Sequence, residues 1–241
     1  MADRDTLKSK NKIGGIISDK ERKVPCHSLE KGILSSNKLI DLPEVDNKLI
    51  CNKSVFDCIK ERQTRRKYKE EYISLEELSY LLWATQGIVR KTETRTYRNV
   101  PSACGRHPFE SYIIANRISG LEKGLYRYVA TQHKLVHLYS DVDIDKRVNE
   151  CTNGQTFVGA ASAVFVWSCI PYRSEWELGI TAHKAILLDA GHICQNLYIA
   201  CESLKLGVCA IADYNQERID ELLGIDGIEE LTVYLASVGC Y

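Results

Sequence analysis

A short basic segment, residues 61–68 (ERQTRRKY), contains side chains that could bind a phosphate group. Arg62, Gln63, Thr64 and Arg66 fall within one turn of the end of a predicted helix. A guanidinium offers forked donors to phosphate oxygens, and a threonine hydroxyl adds a neutral donor. The alternative is a solvated basic patch, which is the usual fate of a short run of charges. Taken alone, the segment is compatible with both.

A turn of small residues follows at residues 101–110 (PSACGRHPFE). It begins with the rigid Pro101 and continues with Ser102, Ala103 and, after one cysteine, Gly105. Such a turn lets the backbone lie close against a ligand, for example a planar ring system. An ordinary loop before a strand is the alternative. The segment before it, residues 91–99, is charged and rich in hydroxyl groups, which predicts a mobile loop.

Two other kinds of chemistry have little support in this sequence. Cys104 and His107 could form a thiol and base pair, but Pro108 disfavours a helix there and no orienting carboxylate is identifiable. The ten cysteines include no CxxC pair, and His133 and His137 flank a predicted strand, so a metal site is not expected. Buried cysteines are expected to serve as small core residues.

The elements that must position these blocks can be predicted from their periodicity. A first helix starts near Ser54 and runs into the basic segment, and a second begins at a capping box of Ser74 and Glu77 and ends at Gly87. Further helices are predicted at residues 176–206 and 216–223. Strands are predicted at residues 109–116, 125–130, 134–138, 163–169, 208–211 and 231–238.

The helix predicted at residues 176–206 is apolar around most of its circumference. Leu187, Cys194 and Cys201 form a second apolar stripe beside the main one. Because a monomer of this size cannot easily bury such a helix on all sides, we expect it at a subunit interface. Asp189 and His192 lie three residues apart on it, and a mutually satisfied polar pair is favoured there over a catalytic dyad.

Composition restricts the class of protein. The 241 residues suit one domain, predicted at residues 54–241, preceded by an extended or partly ordered arm, residues 1–53. Lys plus Arg equals Asp plus Glu, 32 each, which argues against a nucleic-acid partner. The first twelve residues lack an apolar signal core, and the longest apolar run, residues 157–170, is too short to span a bilayer. A cytoplasmic protein with reduced thiols is therefore expected.

The order of these blocks resembles the nitroreductase superfamily, and specifically its SagB-type dehydrogenase branch. The resemblance covers about residues 54–241 and rests on short motifs in a shared order. These are RQTRRKY at residues 62–68, ISLEELSYLLWATQG at 73–87, PSACGRHPFE at 101–110, GLYRYVA at 124–130, LLDAGHICQNLYIA at 187–200, GVCAIADY at 207–214, and the terminal LLGIDGIEEL and YLASVG.

The resemblance implies a homodimeric α+β fold with FMN held at the subunit interface. A mixed or antiparallel central sheet would be flanked by helices, with the long helix at the interface. Arg62, Gln63, Thr64 and Arg66 would hold the phosphate and ribityl chain. Pro101, Ser102, Ala103 and Gly105 would line the isoalloxazine ring. Ala210, Ile211 and Ala212 would flank its other face, with a backbone amide near the reactive flavin nitrogen.

The implied activity is ping-pong hydride transfer through bound FMN, with NAD(P)H as a candidate electron donor. Candidate substrates are nitro or quinone compounds, or azoline rings in peptides; no catalytic side chain is identified. Two positions depart from the family pattern: Asp213 replaces a small residue, and Cys240 and Tyr241 stand where a Lys or Arg is common. These departures motivate an alternative, a flavin-binding sensor or partner subunit with impaired catalysis.

Overall fold

The computed structural model of the chain describes residues 17–49 and 53–241. Its nine strands, numbered along the chain, are β1 Lys38–Asp41, β2 Ile88–Lys91, β3 Thr96–Arg98, β4 Phe109–Ala115, β5 Gly124–Val129, β6 Lys134–Ser140, β7 Ala163–Cys169, β8 Leu206–Ile211 and β9 Leu231–Cys240. Seven of them form one sheet in the order β1-β6-β5-β4-β7-β9-β8, and each neighbouring pair is antiparallel. Strand β8 is therefore an edge strand.

Helices cover both faces of this sheet. They are α1 Val55–Glu61, α2 Leu75–Gln86, α3 Ile144–Cys151, α4 Thr156–Gly159, α5 Tyr172–Leu178, α6 Ala182–Leu204 and α7 Gln216–Leu223. Because side chains alternate along a strand, β7 contributes residues to two hydrophobic cores, one on each face of the sheet. Phe165 and Trp167 pack in the larger cluster, to which α2 and α6 also contribute. Val164 and Val166 pack with residues of α3 and α7. The predicted α+β fold is confirmed.

Local sequence signals explain where several helices begin. The capping box of α2 forms as predicted: the Glu77 amide donates to the Ser74 hydroxyl, and the Ser74 amide donates to the Glu77 carboxylate. The Asn215 side chain caps α7, and Gly224 ends that helix in the left-handed region with φ 69°. The bounds of α7 match the prediction because both of its end signals are local.

The predicted helix over residues 176–206 is wrong in its first part. Two helices, α5 and α6, replace it, and a 3₁₀ turn, Gly179–Thr181, joins them. Gly179 adopts φ 54° and ψ −138°, a conformation that cannot continue an α-helix. Gly179 therefore ends α5, and α6 begins at Ala182.

The mobile loop predicted at residues 91–99 is instead mostly a hairpin. Strands β2 and β3 pair antiparallel. Thr92 and Arg95 close the turn, since the Thr92 amide donates to the Arg95 carbonyl at 2.8 Å. The Arg90 guanidinium lies 4.0 Å from the centroid of the Tyr97 ring. Because local polar contacts stabilise this surface hairpin, the sequence shows no apolar periodicity that would predict its strands.

The described part of the N-terminal arm, residues 17–49, lies across the domain. Strand β1 pairs with β6. The Lys31 ammonium is 2.5 Å from the Glu230 carboxylate, and the Arg127 guanidinium donates to the Gly32 carbonyl at 2.7 Å. The arm thus supplies a strand and a charged strap to the fold. The boundary at residue 53 stays a prediction, and residues 1–16 and 50–52 lie outside the described residues.

A buried ionic cluster joins the start of β4 to its neighbours. The Glu110 carboxylate, 3% exposed, accepts from Arg173 at 2.6 Å, from Arg127 at 3.2 Å and from the Lys31 amide at 2.7 Å. Burial alone would raise the pKa of Glu110, but the two guanidinium groups hold it below its ordinary value. Glu110 is therefore ionised, and both arginines depend on its charge.

Replacing this carboxylate tests the cluster. Glu110→Gln leaves Arg127 and Arg173 buried without a counter-charge, so we expect the free energy of unfolding to fall by about 3–5 kcal/mol. Urea denaturation followed by circular dichroism measures this. Glu76→Gln, on the exposed face of α2, is the matched control. Equal midpoints for the two variants would show that the cluster does not stabilise the fold.

Candidate functional site

The basic segment follows the outer edge of strand β8. Helix α1 ends at Glu61, and the segment continues without helical structure. The Arg65 amide donates to the Val208 carbonyl at 3.0 Å, and the Lys69 amide donates to the Cys240 carbonyl at 2.9 Å. Because β8 is the edge strand of the sheet, the bond to Val208 covers part of its open side, whereas Cys240 is the last residue of β9. Both bonds also fix the segment beside residues 210–212.

One arginine of the segment is committed to the fold. The Arg65 guanidinium pairs with Glu202, whose side chain is 2% exposed, and lies 3.9 Å from the centroid of the Tyr241 ring. The Lys53 ammonium is 3.0 Å from the same carboxylate. Burial alone would raise the pKa of Glu202, but its hydrogen bonds to Arg65 and Lys53 hold it below its ordinary value. Arg65 is thus a structural cation.

The arginines on either side of Arg65 are available for a ligand. The Arg62 guanidinium lies 5.3 Å from the centroid of the Tyr198 ring, and that of Arg66 lies 5.8 Å from the Phe157 ring. Within the part of the chain that the structure describes, neither has a carboxylate partner at ion-pair distance. Two uncompensated cations near one sheet edge favour an anionic ligand.

Tyr198 of α6 joins the basic segment to strand β8. The Ala210 amide donates to the Tyr198 hydroxyl at 3.0 Å, and the Thr64 hydroxyl lies 3.0 Å from the same oxygen. Sequence reasoning missed Tyr198. A hydroxyl-bearing residue in the otherwise apolar stripe of a buried helix is the signal that could have revealed it, because a buried hydroxyl needs partners.

Residues 210–212 differ in their burial and hydrogen bonding. Ala210 is half-buried and its amide is already bonded to Tyr198. The Ile211 side chain, 3% exposed, packs in the core shared with α7. Backbone amides alternate in direction along an antiparallel strand. The Ala210 amide therefore points away from β9, and the next residue, Ile211, lies opposite Leu235 of β9. Ala212 is exposed, just beyond the ladder, which makes its amide the one suited to a ligand.

Asp189 of α6 holds the turn of small residues. Its carboxylate, in a residue 4% exposed, accepts from the Ser102 hydroxyl at 2.5 Å and from the Ala103 amide at 3.1 Å. The His107 amide in turn donates to the Ser102 hydroxyl at 2.9 Å. The expected pair of Asp189 and His192 is therefore wrong: His192 is exposed, and the partners of Asp189 lie in the turn.

The backbone of this turn is tightly constrained. Cys104, Gly105 and His107 have φ of 52°, 63° and 47°, the left-handed region that costs energy for residues other than glycine. The buried Arg106 donates to the Arg173 carbonyl at 2.7 Å. Pro101 is exposed at its start. The turn thus presents a rigid, partly exposed surface of small residues.

A thiol and base pair does not fit this geometry. Burial, with the nearby charges of Arg98 and Arg106, lowers the pKa of His107 to about 3. So weak a base cannot take a proton from the exposed Cys104 thiol at neutral pH. Both residues therefore belong to the structure of the turn.

The two parts of the site are fixed to the same helix at separate places. Tyr198 follows Asp189 by nine residues, about 13 Å along the axis of α6. Among the described residues, no hydrogen bond or ion pair links residues 101–105 to residues 62–66. Gln63 is exposed. The structure therefore brings the basic segment to β8 and holds the turn apart from both.

The face of α6 near Asp189 is open in the monomer. Leu187 is 59% exposed and Leu188 is 56% exposed. The predicted second stripe is correct only in part, because Cys194 and Cys201 are buried within the monomer. Two large apolar side chains on the surface beside the anchored turn suit a protein partner.

The profile of the nitroreductase family matches residues 59–240. The chain belongs to the nitroreductase family. A relative from Methanocaldococcus jannaschii, the protein MJ1384 that carries the name nitroreductase, is 28% identical over 183 residues, covering 76% of this chain and 89% of its own length.

Solved structures share the fold. A protein of Ralstonia eutropha titled as a nitroreductase superposes with a TM-score of 0.70 at 24% identity, covering 87% of this chain and 95% of its own. A second one, from Anabaena variabilis, superposes with a TM-score of 0.66 at 23% identity. The match covers 77% of this chain and 38% of that longer chain. The E. coli microcin synthetase complex McbBCD with truncated pro-MccB17 gives 0.63 at 14% identity, covering 88% and 78%.

Two features are absent from the described residues. No helix in residues 17–49 or 53–241 is long and apolar enough to cross a membrane. The same residues contain no group of three or more His, Cys, Asp or Glu side chains that could hold a metal ion.

Proposed function

We propose that the protein is an FMN-dependent oxidoreductase. The observation that best supports this proposal is that three neighbouring arginines have different partners. Arg65 is neutralised by the buried Glu202, whereas Arg62 and Arg66 keep their charge beside the exposed Thr64. A phosphate monoester offers the acceptor oxygens and the negative charge that these three side chains would bind.

The residues present fit this cofactor. Arg62, Gln63, Thr64 and Arg66 would hold the phosphate and ribityl chain, and Pro101, Ser102, Ala103 and Gly105 would line the ring. Of residues 210–212, Ala212 offers the backbone amide for the flavin nitrogen, and its fixed dipole would favour the electron-rich reduced form. When bound, FMN supplies the ring system that accepts and returns a hydride.

We further propose that two protomers assemble the site. The turn lies about 13 Å along α6 from Tyr198, and the exposed Leu187 and Leu188 mark a face that a partner can cover. In a homodimer, the turn of one protomer would approach the basic segment of the other across this face. This accounts for a turn that is constrained in the monomer yet, among the described residues, has no hydrogen bond or ion pair to the basic segment.

The proposed cycle is ping-pong, in which an electron donor such as NAD(P)H and then an acceptor use the same opening. Acceptors of the nitro or quinone type follow from the family. Azoline rings of a peptide follow from the SagB-type resemblance. Glu177 of α5 pairs with Lys20 of the arm and with Arg95 of the hairpin, so these segments would border that opening.

The compartment we propose is the cytoplasm. Five buried cysteines, Cys151, Cys169, Cys194, Cys201 and Cys209, are free thiols. Free thiols are typical of proteins in a reducing compartment.

A second candidate is a flavin-binding sensor or partner subunit without turnover. Asp213 motivates it: the residue is exposed next to Ala212, and Asn153 donates to its carboxylate at 2.8 Å. A carboxylate close to the flavin would oppose the build-up of negative charge on reduction and lower its reduction potential. Stoichiometric FMN without turnover would favour this candidate.

The direct test is cofactor content with turnover. We expect the purified protein to bind one FMN per chain and to oxidise NAD(P)H with a quinone or nitroaromatic acceptor. Absorbance spectra and steady-state kinetics measure both. Protein that is colourless and stays free of flavin in excess FMN would refute the proposal.

The unpaired arginines make a sharper prediction. Arg66→Ala should weaken FMN binding by about 1.5–3 kcal/mol, because a charge-assisted hydrogen bond to phosphate is lost. Quenching of flavin fluorescence on titration gives the dissociation constant. The control is Lys67→Ala, which removes the same charge from the next position. If both variants bind FMN equally well, Arg66 does not contact the phosphate.

The dimer is tested on α6. Leu188→Lys places a charge on the proposed interface, so we expect a monomer by light scattering and loss of most FMN binding. Ile228→Lys is the control, since Ile228 is 77% exposed and lies on the loop before β9. A Leu188→Lys protein that is still dimeric and yellow would place the interface elsewhere.

A further inference from the structure

The Tyr198 side chain makes three contacts that converge on one side of the basic segment. Its hydroxyl accepts from the Ala210 amide at 3.0 Å and lies 3.0 Å from the Thr64 hydroxyl. Its ring faces the Arg62 guanidinium at 5.3 Å. Tyr198 itself is 8% exposed, held in the helix that packs on the sheet. A rigid residue thus sets the position of two residues that are free to meet a ligand.

One of the two bonds at this hydroxyl has a fixed direction. A backbone amide can only donate, so the Tyr198 oxygen is the acceptor in its bond with Ala210. The bond between Tyr198 and Thr64 can run in either direction; with Tyr198 as the donor, the Thr64 oxygen accepts the phenol proton. Thr64 keeps its own proton for a further acceptor. The three groups form a chain of donors from the Ala210 amide through Tyr198 to Thr64, in which each bond strengthens the next.

Such a chain selects the chemistry of the group at its end. With Tyr198 as the donor, the exposed Thr64 has its own proton to donate, and the charged Arg62 lies beside it. Phosphate oxygens accept hydrogen bonds and carry negative charge, and so match both properties. A neutral ribityl hydroxyl matches only the first. The arrangement therefore discriminates in favour of a phosphorylated flavin.

We propose that Tyr198 is a positioning residue that makes the site select FMN over riboflavin. It acts through Thr64, which its hydroxyl orients as a donor, and through Arg62, which its ring supports. The proposal rests on the proposed function, since it assigns a role toward the same cofactor. It adds a residue that touches no part of the flavin itself.

The test compares two flavins that differ only in the phosphate. FMN and riboflavin are titrated into the full-length wild type and into Tyr198→Phe, which keeps the ring and removes the hydroxyl. We expect the dissociation constant of FMN to rise about tenfold, the effect of one charge-assisted hydrogen bond, and that of riboflavin to change less than about threefold. A merely structural Tyr198 would weaken both flavins alike, and that result would overturn the proposal.

A double-mutant cycle on FMN affinity tests the route through Thr64. Thr64→Val removes the last donor of this hydrogen-bond chain. Because Thr64 is exposed, we expect the substitution to leave the fold intact. If Tyr198 acts through Thr64, adding Tyr198→Phe to Thr64→Val should raise the dissociation constant by less than about threefold. Additive effects would contradict the proposal. A wild type that binds no FMN would refute the proposed function instead, before either variant is compared.

Discussion

The candidate site depends on the polar groups that the buried helix α6 carries into an apolar core. Tyr198 and Asp189 are 8% and 4% exposed, and each must find partners because an unpaired buried polar group is costly. Their partners are the basic segment with β8 at one place and the small-residue turn at the other. A single helix packed against the sheet thereby fixes both parts of the site, and the described residues show no hydrogen bond or ion pair between them.

Charge is distributed along the basic segment in a way that separates structure from function. Glu202 on the same helix neutralises Arg65 and Lys53, and this holds the segment on the edge of the sheet. Arg62 and Arg66 face aromatic rings, which leave their charge uncompensated. The run of arginines thus contains one cation that anchors the segment and two that are proposed to bind a ligand. The sequence alone does not distinguish them.

Local signals predicted much of the fold. The bounds of β7 and α7 follow from a continuous apolar run and from two helix-end signals, and the capping box of α2 forms as expected. The break at Gly179 was missed because one backbone angle decides it, and the β2–β3 hairpin because polar contacts of surface residues stabilise it. The roles of Tyr198 and Asp189 were missed because Thr64 lies 134 residues from Tyr198 and Ser102 lies 87 residues from Asp189 in the chain, beyond the reach of any spacing rule.

A crystal structure of the protein grown with FMN tests the central claim most directly. The account predicts a phosphate oxygen within hydrogen-bond distance, about 2.7–3.2 Å, of the Arg66 guanidinium and of the Thr64 hydroxyl, with the ring against Ser102 and Ala103 of a second protomer. A flavin bound away from the basic segment, with Arg62 and Arg66 facing only water, would contradict it.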